Sequence, residues 1–180
     1  MTTAITVRGD LSRIERALRE EPKIAKAAAL SAVNRTVALA QTAGVRELSR
    51  VKAVPVRALR ARTRIIKAAR QRLYGQLITL TAGLPIDQLP YRQAKAGITA
   101  AGKRYRSAFV AKGLGGTKPL VFERREIGGK RAPRLPIDRV KIALNPEADA
   151  IFGRVTAQAV REQLPRLFDS QMAYRLARRG

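Results

Sequence analysis

Apolar residues return at helical spacing only near the two ends of this chain and at every second position between them. That pattern confines the fold to helices flanking a sheet. From Lys23 to about Arg50, Ile24, Ala28, Val33, Val37, Ala40 and Leu48 recur at helical intervals. Ala27, Ala29, Ala32, Ala38 and Ala43 add helix propensity and leave a low surface that another helix can approach closely. The period then changes. Residues 73–81 (LYGQLITLT) alternate as a strand does, and Leu84-Pro85-Ile86 continues extended. Ala96–Ala101, Ser107–Lys112, Pro119–Arg125 and Pro136–Leu144 are further strand candidates. A last helix is expected from Glu147 to about Arg161, with Pro165 bending or restarting it before a helical tail. At the start, Thr3–Arg8 reads as a weak strand and Asp10 as the N-cap of a short helix. The expected class is α+β: N-terminal helices (one long and Ala-rich), one small antiparallel sheet of four to five strands, and C-terminal helices. Residues 1–180 then form a single domain, with a helical part (1–70), a basic β part (71–144) and a C-terminal helical arm (145–180).

Charge is distributed as unevenly as hydropathy. The chain holds 37 Lys+Arg against 13 Asp+Glu, a net +24, and residues 54–143 alone carry +17 of it. A segment this basic repels itself unless a polyanionic or acidic partner lies nearby, and nucleic acid is the commonest such partner. Only 4% of the residues are aromatic and much of the apolar share is Ala, so each buried side chain removes little area from water. Such a core suggests stabilisation by neighbouring subunits. No stretch approaches the roughly 20 apolar residues that span a bilayer, and Met1–Asp10 lacks an apolar signal core. A soluble protein made in the cytoplasm is expected.

Residues that ordinarily carry chemistry are missing. There is no His, Cys or Trp, which removes the usual neutral-pH base, thiolate chemistry and His- or Cys-based zinc sites. Asp87, Glu123, Glu126 and Asp138 are the only acids of the basic segment, and each has a nearby Arg in sequence. Ion pairing is the economical reading for them. Residues 113–118 (GLGGTK) have the wrong spacing for a phosphate-binding loop. No cofactor and no catalytic or metal site is expected.

Pro55 opens a second expected helix, about Val56 to Arg70, on which Arg57, Arg60, Arg64 and Lys67 fall within one narrow arc. No acidic residue interrupts the run between Glu47 and Asp87, whereas a merely solvated face mixes both signs. These four form a candidate DNA- or partner-facing stripe, and Arg104, Arg106, Arg124, Arg125 and Arg131 extend it onto the strands. Tyr74, Tyr91, Tyr105, Phe109 and Phe122 read as packing residues, not as a base-stacking platform. Leu77, Leu80, Phe109, Phe122, Ile137, Val140 and Ile142 are expected in the core, as the largest apolar groups at strand spacing.

The order of these features is distinctive. Leu11-Ser12-Arg13-Ile14 precedes the Ala-rich helix with its Asn34-Arg35. A stretch ending in Arg46-Glu47 then leads to Val56-Arg57. Ala108-Phe109-Val110 and Arg134–Ile142 (RLPIDRVKI) follow. Over nearly the whole chain this resembles the minor tail protein Z family of long-tailed phages and prophages, the tail-completion proteins. The most specific piece is Leu135–Ile142. The resemblance implies a non-enzymatic virion protein at the tail neck, synthesised in the host cytoplasm, which finishes the tail so that it can join a filled head. Its implied partners are the tail terminator, tail tube and head–tail connector, in a homo-oligomeric ring with the sixfold symmetry of such tails. A ring around the DNA path needs counter-charge without base readout, which diffuse Arg and Lys supply as nonspecific DNA contact. Charge alone equally supports the alternative, a free sequence-nonspecific nucleic-acid-binding protein.

Overall fold

A computed structural model describes residues 2–4, 12–112, 116, 118–124, 126–127, 130–131 and 137–178. Its frame is a pair of antiparallel 31-residue helices, α2 (Pro22–Lys52) and α4 (Glu147–Ala177), with α1 (Ser12–Glu20) packed against α2. Pro22 stands in the first turn of α2, where a missing N–H is tolerated. Ala53 closes that helix in a left-handed conformation, its N–H bonded to the Ser49 carbonyl. Asp10, the expected cap of α1, lies outside the described residues.

The low Ala surface of α2 is taken by α4 of the same chain. Ala25, Ala28, Ala29 and Ala32 are buried against Leu164 and Phe168. Nearer the other end, Gly44 lies under Phe152, whose Cε1 is 2.5 Å from where a Cβ would stand. Helix α4 runs on through Pro165 without the restart that was one of the two expected outcomes. Leu164 and Phe168 are anchored on either side of that proline. Tertiary packing thus offsets the hydrogen bond that it cannot donate.

The short helix α3 (Val56–Arg60) and thirteen short strands fill the described chain between and before these helices. They are β1 (Thr2–Ala4), β2 (Thr63–Ile66), β3 (Gln76–Leu80), β4 (Leu84–Pro85), β5 (Tyr91–Ala94), β6 (Gly97–Ala100) and β7 (Lys103–Tyr105). Then come β8 (Ala108–Lys112), β9 (Pro119–Arg124), β10 (Glu126–Ile127), β11 (Lys130–Arg131), β12 (Ile137–Arg139) and β13 (Lys141–Ile142). In place of one sheet they form three antiparallel sheets, β1-β3-β2, β5-β6-β7 and β12-β9-β8, and two pairs, β4-β13 and β10-β11. Tight turns cut the strands short. At Gly97 (φ 116) an added Cβ would meet the Tyr105 carbonyl oxygen at 2.1 Å, so only glycine lets these strands approach. The expected strand 136–144 splits at Val140, whose N–H bonds Val121 while its carbonyl accepts from Ile86.

The main core joins α2, α3, α4 and the sheets through Leu48, Leu59, Leu84, Ile86, Ile98, Val121 and Phe152. Leu77, Val140 and Ile142 are buried as expected, but Leu80 is 47% exposed and Phe109, Phe122 and Ile137 are only half-buried. Alternation explains the difference. In β3, Leu77 and Thr79 face inward, which sends Leu80 outward. In β8 and β9 the smaller Ala108 and Val121 take the inner face, leaving Phe109 and Phe122 paired on the outer one with ring centroids 6.3 Å apart. The α+β class holds. No helix among the described residues is long and apolar enough to cross a membrane.

Candidate functional site

The basic stripe is real in composition but not in the expected geometry. Helix α3 ends at Arg60, and Thr63–Ile66 is a strand, so Arg57 and Arg60 lie on α3, Arg64 on β2 and Lys67 just beyond it. Thr63, Ile65 and Ile66 favour the pleated form, and Ile65 gains a cross-strand neighbour in the buried Leu77. All four cations remain exposed, and none is ion-paired to a described residue.

Side chains of α2 hold this segment in place. The Asn34 carboxamide donates to the Ala68 carbonyl (3.3 Å) and accepts from the Ala68 N–H (2.7 Å). Two turns further on, Gln41 donates to the Thr63 hydroxyl at 2.9 Å. Arg60 reaches the Thr42 hydroxyl at 3.4 Å. Both ends of β2 are thereby tied to one helix face, which fixes where Arg64 and Lys67 project. A polar residue within a helical run gives no sign of such a distant backbone partner, so sequence reasoning missed the clamp.

The remaining candidates divide. Arg104 on β7 is exposed, and the register Arg92–Thr99–Arg104 puts it on the same outer face as Arg92, which sequence reasoning left out. Arg106 is exposed in the turn after β7. Arg124 is half-buried, its guanidinium 5.8 Å from the centre of the Phe109 ring. It covers an aromatic face. Arg125 lies outside the described residues, and of Arg131 only its place on β11 is described.

The structure also brings together cations that the sequence keeps apart. An open groove of about 850 Å³ between α3, β4 and β13 is lined by Arg57, Arg62, Arg139 and Lys141. On its wall, Arg139 donates through Nε (2.9 Å) and a terminal nitrogen (2.5 Å) to both oxygens of Asp87. The Asp87 side chain is only 6% exposed, and the hydrogen bonds from Arg139 hold its carboxyl below the usual carboxylate range despite burial. Other acids play the same part. Glu147 accepts from Lys52 at 2.7 Å, and its carboxyl is likewise held low by that bond. Glu47 pairs with Arg154. No group of three or more Asp and Glu suited to a metal ion occurs among the described residues.

The site is thus a set of exposed cations on α3, β2 and β7, the first two held from α2, together with a cationic groove. Such an arrangement can bind anions without reading their sequence. Comparison with curated proteins and with solved structures gives no match. The family model of the prophage minor tail protein Z, in contrast, matches residues 10–179, and the chain belongs to that family of phage tail structural proteins.

Proposed function

We propose that this tail protein is a tail-completion subunit at the head-proximal end of the tail. There, copies of it close a sixfold ring around the DNA path and meet the tail terminator, tail tube and head–tail connector. The observation that carries this reading is the set of exposed cations Arg57, Arg60, Arg64, Lys67, Arg104 and Arg106, none ion-paired to a described residue. Copies at +24 repel one another, and a polyanion threading the ring supplies the missing counter-charge. Asp87, Glu47 and Glu147 serve as ion-pair partners, which supports a non-enzymatic role. The main core, which joins α2 and α4 to the sheets, supports reading the chain as one domain.

The test is to replace Arg57, Arg60, Arg64 and Lys67 together with Gln, then complement a phage lacking this protein. Exposed charges contribute little to stability, so the fold should survive. Tails of normal length should then form but join filled heads poorly. Duplex binding by the purified variant should lose salt slope by about 0.9 per phosphate contact removed. Normal joining by the variant overturns the reading. A wild-type protein that binds DNA yet is absent from purified tails favours the free nucleic-acid-binding alternative.

A further inference from the structure

We propose that the groove between α3, β4 and β13 is a docking site for an acidic, partly apolar peptide segment of a neighbouring tail protein. This deepens the tail-completion reading and rests on it only for the source of the partner. Charge is the first argument. Arg57, Arg62, Arg139 and Lys141 line the groove, and no Asp or Glu stands among its described lining residues. One of these cations is preorganised. Asp87 binds one edge of the Arg139 guanidinium and leaves the opposite edge for a ligand, with the side chain still 34% exposed.

Shape and polarity separate a peptide from DNA. Pro55, Ala58 and Pro90 put apolar, conformationally stiff surface on the groove walls, which also include the buried Pro85 and Leu89. At about 850 Å³ and open to solvent, the groove has room for a few side chains of an extended segment. A duplex is convex and presents phosphates, so it would meet the outer cations but leave those walls wet. An extended segment alternating carboxylates with apolar side chains satisfies both the cationic lip and the apolar wall.

The experiment uses the full-length protein and two short labelled peptides, one alternating Glu with Leu and one alternating Gln with Leu, followed by fluorescence anisotropy at fixed salt. The groove variant is Ala61→Glu with Lys141→Glu, both exposed lining positions. The comparison variant, Arg104→Gln with Arg106→Glu, makes the same change in net charge elsewhere. The wild type should bind the Glu peptide and not the Gln peptide. The groove variant should bind it about tenfold more weakly, while the comparison variant stays within about twofold of wild type. Duplex DNA should be weakened no more by the groove variant than by the comparison one. Equal loss of peptide in both variants, failure of the wild type to prefer the Glu peptide, or a larger loss of duplex in the groove variant each overturns the proposal. Because the readout is binding by isolated protein, it stands or falls separately from tail joining.

Discussion

The Phe152 ring sets how closely the two long helices lie, because it occupies the space that any side chain at position 44 would need. Replacing Gly44 with Ala brings two opposed effects. Helix propensity improves by about 1 kcal/mol, but the new methyl group overlaps the ring, and overpacking costs about 1–3 kcal/mol. A net loss is expected in the wild type. Phe152→Ala by itself should cost about 3–5 kcal/mol, since the ring is fully enclosed. Once the ring is gone, Gly44→Ala should instead stabilise by about 1 kcal/mol. Urea unfolding of the four proteins gives this cycle directly. The same sign in both backgrounds would refute the contact. Of the residue-scale features, the exposed cations were legible, because nothing acidic lies between Glu47 and Asp87 to pair with them locally. Their grouping was not. The groove joins Arg57 to Arg139 and Lys141 from opposite ends of the basic segment, and only tertiary structure brings those together.

At the scale of elements, the interface between α2 and α4 works because its residues are small. Ala28 is fully buried against α4, whereas Ala38 is exposed on the same helix. Ala28→Leu should therefore destabilise by about 1–3 kcal/mol, while Ala38→Leu stays within about 0.5 kcal/mol of wild type. Thermal unfolding of the pair decides it, and equal melting would show that the helices are not tightly apposed. Helix α2 was legible in sequence because its apolar period is sustained over many turns. Strand β2 was not, since Arg57, Arg60, Arg64 and Lys67 fit a helical arc as well as they fit the observed turn and strand. Four residues gain their strand conformation from β3, a nonlocal partner. β5 (YRQA) and β7 (KRY) escaped detection for a similar reason, as both are too short and polar to show alternation. The continuity of α4 was hidden by Pro165, whose local effect is overridden by its packed neighbours.

For the whole molecule, a net charge of +24 on one short chain governs association. Copies should stay apart at low ionic strength and assemble as salt screens them or as short duplex DNA is added. Sedimentation velocity across a salt series tests this. Assembly that is strongest at the lowest salt would mean that attractive charge pairs, not screened repulsion, build the oligomer. The pairing of α2 with α4 also has a consequence for biosynthesis. Residues 53–146 must all be made after α2 before α4 begins to emerge. At ordinary translation rates that delay lasts roughly 5–20 s. A Leu-rich stripe left bare for so long would invite chaperones or aggregation. The alanine face of α2 exposes far less apolar area while it waits for its mate at the end of the chain.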